Sequence, residues 1–452
     1  MMSWLYLLAS VLLILGLQGL TDPRGARRGI QLAALGMLAA VGGTLLSPEL
    51  RTYVWIVLGI LTGGAIGAVM AIYMPMTAMP QRIALSHAFG ALAAVLVGVA
   101  EHLHRAAELS TLQHAALGFE VLFGSLTVTG SLMAFAKLQE LLPTAPIVYP
   151  FQNATNLSLF GATVLLYAAL MTNPTSTPLL LGMAALGLVV GVLMVLPIGG
   201  ADMPVVVSLL NSYAGLAASA TGFALGNQVL IIAGALDGAS GFILSILMCR
   251  AMNRSFTNVL FGAFGTPAAT TSHTDQTIRS VTLEDAAVQL AYARKVVVVP
   301  GYGMAVSQAQ QTVRELAEQV QQHGGEVEFA IHPVAGRMPG HMNVLLAEAN
   351  IPYDQLKEME QVNPEFPSTD VALVVGANDV VNPAAREDKS SPLYGMPILD
   401  ADRARSVIVL KRSMKPGFAG VDNPLFALPN CALLFGDARE TLGRLVARMK
   451  AL

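Results

Sequence analysis

Nine apolar stretches between residues 1 and 260 constrain this chain more than any other feature of its sequence. Each approaches the roughly 20 residues that an α-helix needs to cross the hydrocarbon core of a bilayer. The same residues hold only 9 of the 26 Lys and Arg and 8 of the 29 Asp and Glu. We therefore predict a membrane bundle of nine helices, at about 3–20, 29–46, 53–73, 83–101, 115–137, 155–172, 178–196, 203–225 and 228–249.

The basic residues of this region predict its orientation. Seven of the nine lie on the side that also carries the C-terminal residues, and only Arg51 and Arg105 lie on the other. Because loops rich in Lys and Arg stay in the cytoplasm, we expect a cytoplasmic C-terminal domain and an N-terminus outside. The first 20 residues have no charged segment before their apolar run, so we interpret them as a membrane helix and not as a secretory signal.

Polar side chains interrupt these spans, where an ionisable group costs about 2.5–3.5 kcal/mol. His87, Glu120 and Asn211 favour a proton path through the fourth, fifth and eighth spans, because imidazole titrates near neutral pH. The Ser, Thr and Gly residues spaced helically around Glu120 and Asn211 are better explained by close helix packing. Asp237 fits a second titrating group and a structural hydrogen-bonding acid equally well. We expect three further histidines to be solvated in an outer loop: His102, His104 and His114.

The C-terminal residues have the composition of a soluble α/β domain. The β-branched run Val296–Val299 precedes Gly301-x-Gly303-x-x-Val306, and we predict a helix from Met304 to about His323. A strand, a glycine turn and a helix N-terminus can cradle a phosphate, although this motif alone is weak. Further strands at 327–331, 371–375, 407–410 and 431–435, a short helix opened by Thr282, and a last helix at 437–450 predict a parallel, doubly wound, Rossmann-like sheet.

Composition separates the chain into regions and excludes several functions. Residues 263–281 are rich in Thr, Ser and Gly and are predicted to link a membrane domain, 1–262, to a nucleotide-binding domain, 282–452. The net charge of −3 gives no sign of nucleic-acid binding. Cys249 and Cys431 fall in different predicted domains, so neither a disulfide framework nor a metal site is expected.

The sequence Lys411-Arg412-Ser413 bears on nucleotide choice. An NAD-selective fold places an acid at the end of its second strand, but here that strand ends in Ile331-His332-Pro333. Two cations and a hydroxyl after the 407–410 strand suit the 2′-phosphate of NADP. A merely solvated strand end is the alternative interpretation.

Longer segments carry a family resemblance over nearly the whole chain. The most specific are Gly-Ala-Asp-Met-Pro (200–204), Asn-Ser-Tyr (211–213), Pro-Gly-Tyr-Gly-Met-Ala-Val (300–306), Pro-Gly-His-Met-Asn-Val-Leu-Leu-Ala-Glu (339–348) and Lys-Arg-Ser-Met (411–414). With these segments the chain resembles the beta subunits of proton-translocating NAD(P) transhydrogenases. Three departures are notable: Phe418 stands where Tyr is expected, Asp237 stands where an apolar residue is expected, and an NAD(H)-binding domain is expected on a separate alpha chain.

The resemblance implies an enzyme that couples inward proton movement to hydride transfer from NADH to NADP⁺. It implies NADP(H) on this chain, and NAD(H) on an alpha subunit that also supplies the remaining membrane helices. It further implies a dimer of the complete enzyme in a bacterial inner membrane. No catalytic side chain is expected, because hydride passes directly between two nicotinamides. An NADP(H)-regulated ion transporter is the alternative, and a purely structural membrane anchor fits the ionisable residues poorly.

The resemblance also assigns residues to sites. It points to His87 and Asn211 as proton-pathway residues and to Asp202 and Arg254 near the cytoplasmic coupling surface. Together with Glu120, which its position within a span indicates, these residues make up the predicted proton pathway. Its NADP(H) contacts, taken with the glycine motif and the cation pair, are Gly301, Tyr302, Gly303, Ala305, Val306, Val334, Ala335, Gly336, Arg337, Met338, Pro339, Gly376, Ala377, Asn378, Asp379, Gly395, Met396, Lys411, Arg412, Ser413, Gly417, Phe418, Asp437 and Ala438.

Overall fold

The computed structural model describes most of the chain in two compact units. The described residues are 2–21, 25–46, 50, 52–143, 147–199, 202–253, 255–256, 278–338, 340–389, 391, 393–414, 417 and 421–452. One unit comprises 1–199 and 205–245, and the other 200–204 and 246–452. Most of the predicted linker and the site residues Arg254, Pro339 and Phe418 lie outside the described residues.

The N-terminal region is helical at every predicted span. In the described residues its helices are α1 (Met2–Gly19), α2 (Ala26–Leu45), α3 (Val54–Tyr73), α4 (Met79–Arg105), α5 (Thr111–Leu138), α6 (Gln152–Thr172), α7 (Thr177–Val195), α8 (Met203–Leu225) and α9 (Gln228–Ala251). Eight of these nine are long and apolar enough to cross a membrane, and α1 is the shorter exception. A region with several membrane-spanning helices is therefore supported, while the first span stays a prediction.

Small residues set the spacing between neighbouring helices. A Cβ at Gly191 of α7 would lie 2.2 Å from the Leu126 carbonyl oxygen of α5. A Cβ at Gly215 of α8 would lie 2.3 Å from the Gly238 nitrogen of α9. Ser212 donates to the Gly238 carbonyl at 2.7 Å. These contacts confirm that the stripe of small residues in α8 serves close helix packing.

The C-terminal region is a six-stranded parallel sheet with helices. Its strands are β1 (Lys295–Pro300), β2 (Glu326–Ile331), β3 (Leu356–Glu358), β4 (Val371–Val375), β5 (Ser406–Lys411) and β6 (Cys431–Phe435). Its helices are α10 (Leu283–Ala291), α11 (Tyr302–Val306), α12 (Gln310–Gln322), α13 (His341–Glu348), α14 (Met359–Val362), α15 (Ala384–Glu387) and α16 (Ala438–Met449).

The order of the strands places their loops. The sheet runs β3-β2-β1-β4-β5-β6, and every pairing is parallel. Val296 pairs with Val327 on one side and Val371 on the other, so β1 and β4 lie at the centre. Buried on both faces, these strands are continuous apolar runs, as the sequence predicted. The loops that follow β1 and β4 leave the same edge side by side.

Two sequence predictions need correction here. The predicted helix from Met304 to His323 is two helices, because Gln308 adopts a left-handed conformation (φ 51°) between α11 and α12. The end of the predicted linker is not free: Val281 N–H donates to the Leu433 carbonyl at 3.0 Å, alongside β6. The short edge strand β3 was not predicted, since three residues give too little pattern to detect. Thr282 caps α10 as expected, accepting from the Asp285 N–H at 3.1 Å.

Candidate functional site

The loops after β1 and β4 are locked to each other at the carboxyl edge of the sheet. Gly303 N–H donates to the Gly376 carbonyl at 2.9 Å, and Gly301 N–H donates to the Val375 carbonyl at 2.9 Å. A Cβ at Gly376, where φ is 66°, would lie 2.4 Å from the Gly303 Cα. These glycines are thus required by the contact between two loops.

This packing changes the interpretation of the glycine motif. The sequence predicted that Gly301 and Gly303 expose their N–H groups at a long helix N-terminus. In the structure those two N–H groups are already used by the neighbouring strand and loop, and α11 is only five residues long. A short helix has little dipole to offer an anion. The motif therefore shapes the edge, and other residues must supply charge and hydrogen-bond donors.

The loop after β2 supplies one such charge. The guanidinium of Arg337 lies 4.2 Å from the centre of the Tyr302 ring, which joins this loop to the start of α11. Arg337 N–H donates to Nδ1 of the buried His341 at 3.1 Å. Burial, followed by the nearby Arg337 charge, lowers the pKa of His341 to about 4. His341 is therefore a neutral support for the loop near pH 7.

His332 fixes the other end of the same loop. Its Nε2 lies 2.8 Å from the Pro397 carbonyl, to which it donates, and its Nδ1 accepts from the Val334 N–H at 3.2 Å. Burial lowers the pKa of His332 to about 4. Both ring nitrogens are satisfied by neutral imidazole, so His332 ties residues 332–338 to the segment that contains Gly395 and Met396. Neither histidine's supporting role was predicted.

The loops after β4 and β5 also converge. A Cβ at Gly417 would lie 2.4 Å from Asp379 Oδ1 and 2.5 Å from Asn378 Nδ2. Asn423, which the sequence analysis missed, donates from Nδ2 to the Asn378 carbonyl at 3.0 Å. Asn378 Nδ2 is buried and has no hydrogen-bond partner among the described residues. A donor with no partner beside a glycine is available to a ligand oxygen.

Lys411, at the end of β5, is partly buried among these loops. Its Nζ lies 4.4 Å from the centre of the Phe426 ring. Burial lowers the pKa of Lys411, and the Asp379 and Asp422 carboxylates oppose that shift. The following residues, Arg412 and Ser413, are exposed. The carboxyl edge of the sheet therefore carries a partly buried cation, Lys411, and an exposed cation, Arg412.

Asp437, a predicted cofactor contact, caps a helix of the sheet domain. Its Oδ1 accepts from the N–H groups of Arg439 at 3.0 Å and Glu440 at 3.3 Å, so its own carboxylate caps α16. A groove of about 590 Å³ between α12 and α16 begins beside it. The helix terminus next to Ala438 is thus already filled by an anion of the chain.

The ionisable residues of the helical region lie at two different positions along the helix axes. His87 in α4 is half-buried, and its Nδ1 has no hydrogen-bond partner among the described residues. Asn211 Nδ2 donates to Asp237 Oδ1 of α9 at 3.1 Å. Glu120 in α5 lies instead beside Gly98 of α4. Eleven residues of helix separate His87 from Gly98, roughly 16 Å, so the structure does not bring Glu120 to the His87 group.

Glu120 and Lys137 are both almost completely buried in α5. Neither carboxylate oxygen of Glu120 has a hydrogen-bond partner among the described residues. The Lys137 ammonium donates to the Val195, Leu196 and Ile198 carbonyls at the end of α7. Lys137 thus caps a helix C-terminus, where a cation is favourable. This capping role of Lys137 was not predicted from the sequence.

Two predicted loop histidines are in fact helical and buried. α4 extends to Arg105 and α5 begins at Thr111, so both helices reach beyond the predicted spans. His102 is 2% exposed and lies 3.4 Å from the Thr177 hydroxyl, and His114 is 6% exposed. The expectation that these two are solvated was wrong, because helix continuation outweighed the local polar composition. His104 is exposed.

Comparison with known proteins gives a consistent result. Residues 2–448 match the family described as "NAD(P) transhydrogenase beta subunit". A protein from Rhodospirillum rubrum named "NAD(P) transhydrogenase subunit beta" is 48% identical over 457 residues, which cover 98% of each chain. A protein of the same name from a named strain of that species matches with the same identity and coverage.

Proposed function

The chain belongs to the NAD(P) transhydrogenase beta-subunit family, and from this premise we propose that it binds NADP(H) at the carboxyl edge of its sheet. NAD(H) would be held by an alpha subunit. Proton movement through the helical region toward the cytoplasm would drive hydride transfer from NADH to NADP⁺. The complete enzyme would be a dimer in a bacterial inner membrane, with the sheet domain cytoplasmic and the N-terminus outside.

One observation carries the nucleotide assignment: the loops after β1, β4 and β5 meet at one edge and contain a buried donor that has no hydrogen-bond partner among the described residues. Asn378 Nδ2 is that donor, and it lies beside Gly417. The strand order 3-2-1-4-5-6 reverses between β1 and β4. In doubly wound sheets, ligands bind outside the carboxyl ends of the strands where the order reverses. The residues present therefore fit a dinucleotide.

The cations decide which dinucleotide fits better. Arg412 can bind a phosphate bidentately, and Lys411 offers a point charge shielded from solvent. No carboxylate follows β2, where an NAD-selective fold would place one for the ribose hydroxyls. Arg337, held by stacking on Tyr302, offers a further cation near the start of α11. We infer NADP(H) selectivity from this distribution of charge.

The bound nicotinamide would supply the hydride chemistry. The residues of this chain bind and orient the nucleotide, and they need not provide a general base for that step. Pro339 and Phe418 lie outside the described residues, and their contacts with the nucleotide remain predictions. Asp437 would act at the site through the end of α16 that it caps.

The proton path is proposed from the ionisable residues in the helices. His87 and Asn211 would form its centre, with Glu120 at a separate level and Asp202 at the start of α8. Arg254 stays a prediction from the resemblance. Coupling requires protonation to favour one state of the NADP(H)-binding domain, since a ligand shifts an equilibrium only by its differential affinity.

The nucleotide assignment is tested by binding. Lys411→Ala and Arg412→Ala should each weaken NADPH binding by about 1–3 kcal/mol, the value of a charge-assisted contact, and should weaken NADH binding far less. Calorimetry on the purified chain measures both. The chain alone should show no NADH-to-NADP⁺ transfer until the alpha subunit is added. Equal losses for both nucleotides would contradict the assignment.

A further inference from the structure

Asn423 lies in the segment between β5 and β6, and both ends of its side-chain amide are fixed by main-chain groups. The residue is 4% exposed. Its Oδ1 accepts from the Leu425 N–H at 3.0 Å, and its Nδ2 donates to the Asn378 carbonyl at 3.0 Å. The opposite orientation would place an oxygen against that carbonyl and an NH₂ group against that N–H. The hydrogen bonds therefore allow only one orientation of this amide.

The fixed amide of Asn423 decides how the side chain of Asn378 is turned. Asn423 Nδ2 also donates to Asn378 Oδ1, at 3.1 Å, so both of its hydrogens are used. If the Asn378 amide were turned over, two NH₂ groups would face each other, and neither could accept. The NH₂ group of Asn378 is consequently directed away from Asn423.

A glycine keeps space beside the Asn378 NH₂ group. A Cβ at Gly417 would lie 2.5 Å from Asn378 Nδ2, which is too close for any other residue to be placed there without a shift. Asn378 Nδ2 is buried and has no hydrogen-bond partner among the described residues. Because a buried donor without an acceptor is costly, this position suits an acceptor oxygen of a ligand.

We propose that Asn423 is a positioning residue for NADP(H): it holds Asn378 so that the NH₂ group of Asn378 donates to an oxygen of the nucleotide. Asn423 acts only through Asn378. An Asn378 amide turned the other way would set its own oxygen against the nucleotide oxygen and repel it. This inference rests on the proposed NADP(H) site and adds the residue that decides whether Asn378 offers a donor or an acceptor.

Asn423→Asp is the most direct test, because it keeps the size of the side chain and the acceptor for the Leu425 N–H but removes both N–H donors. The Asn378 amide should then turn its NH₂ group toward the new carboxylate and its oxygen toward the nucleotide. Calorimetry on the purified full chain in detergent should show NADPH binding weakened by about 10-fold, the value of one hydrogen bond. Asn378→Ala, which removes the donor itself, should weaken binding by about the same factor.

The double variant distinguishes positioning from a general structural effect. If Asn423 acts through Asn378, adding Asn423→Asp to Asn378→Ala should change the affinity by less than about twofold, whereas independent effects would multiply to about 100-fold.

Asn382→Asp is the matched control, because Asn382 is a buried asparagine that joins the same two segments. Its Nδ2 donates to the Asp422 carbonyl at 3.1 Å, and its Oδ1 accepts from the Ala384 N–H at 3.0 Å. Neither of these side-chain bonds involves Asn378. Any effect of Asn382→Asp on NADPH affinity should therefore be the same with and without Asn378→Ala.

Asn423→Ala keeps the test decisive if the Asp variant fails to fold. It adds no charge and leaves the Asn378 amide able to take either orientation. NADPH binding should therefore weaken by about twofold to threefold, and only while Asn378 is present. Thermal unfolding without nucleotide shows which variants are folded before their affinities are compared.

The outcomes separate this inference from the proposed function. If Asn378→Ala weakens NADPH binding but Asn423→Asp has no effect, or if the two losses multiply, the positioning role is disproved and the nucleotide site stands. If Asn378→Ala binds NADPH as tightly as the wild-type chain, the donor does not meet the nucleotide and the inference fails, while Lys411 and Arg412 can still define the site. If the wild-type chain does not bind NADPH, the proposed function is wrong and the inference falls with it.

Discussion

The two regions of this chain distribute polarity in opposite ways. In the helical region Leu38, Trp55 and Ile72 are 68%, 75% and 74% exposed, whereas Glu120 and Lys137 are at most 1% exposed. In the sheet domain the central strands are buried valines, and ion pairs such as Arg314–Glu318 lie on the surface. The first pattern suits hydrocarbon outside the protein and the second suits water.

Different interactions therefore hold the two regions together. In the helical region apolar burial gives little driving force between helices, so glycine contacts and hydrogen bonds to main-chain carbonyls fix the packing. In the sheet domain burial of valine and leucine dominates stability. Paired substitutions can therefore test whether the two regions depend on different interactions.

Replacing a glycine at a helix crossing should have the largest effect on stability. Gly191→Leu places a side chain where Leu126 O and Thr129 Oγ1 lie 2.2 and 2.3 Å from a Cβ, and it should destabilise the α5–α7 contact by about 3 kcal/mol. Gly182→Leu on the same helix meets nothing within 4 Å and is the control. Thermal unfolding in detergent measures both. Equal unfolding temperatures for the Gly191→Leu and Gly182→Leu variants would show that glycine contacts do not set the helix packing.

Removing the buried ammonium of Lys137 should have the next largest effect on stability. Lys137→Met leaves three carbonyls at the end of α7 without their donor and should cost about 3 kcal/mol. The matched change on the sheet domain is Arg314→Met, which breaks an exposed pair with Glu318 and should cost at most about 0.5 kcal/mol. The same unfolding assay compares them. A similar cost for both would remove the contrast between the regions.

Acid should destabilise the loop after β2. Burial lowers the pKa of His332 to about 4, whereas an unfolded histidine titrates near 6.5. The unfolded state therefore binds the proton first, so the contribution of His332 is complete above about pH 6.5 and is lost as pH falls toward 4. We expect a loss of between about 2 and 3 kcal/mol.

Hydrogen exchange of residues 326–348 across this pH range, corrected for intrinsic rates, measures that loss. His332→Gln can keep both hydrogen bonds, to the Pro397 carbonyl and from the Val334 N–H, but cannot titrate. It should reduce the pH dependence to the part that His341 contributes, since burial also lowers the pKa of His341 to about 4. An unchanged slope in this variant would assign the acid sensitivity to another group.

Replacing a glycine that has free space around its Cα should have the smallest effect on stability. Gly443→Ala in α16 meets nothing within 4 Å and should stabilise the sheet domain by about 0.5–1 kcal/mol, because alanine restricts the unfolded chain. Gly161→Ala in α6 is equally open, but it lies in a helix whose main chain would stay hydrogen-bonded in lipid. We expect a smaller change there. A larger gain at Gly161 would contradict the distinction between the two environments.

Elements with long and regular patterns could be predicted from the amino-acid sequence. Apolar runs of about 20 residues located the helices α2 to α9, and short apolar runs located β1, β2, β4, β5 and β6. It also indicated the family and placed the candidate nucleotide loops at strand ends. These features depend on periodicity and local composition, which are read without knowing the neighbours of a residue.

The tertiary structure alone decided which residues meet. It showed that Gly301 and Gly303 use their N–H groups on a neighbouring strand and loop, and that Asn423 supports Asn378. It separated Glu120 from His87 and joined Asp237 to Asn211, residues 26 positions apart. Such contacts depend on how helices and strands cross in space, and no local pattern in a single sequence records that arrangement.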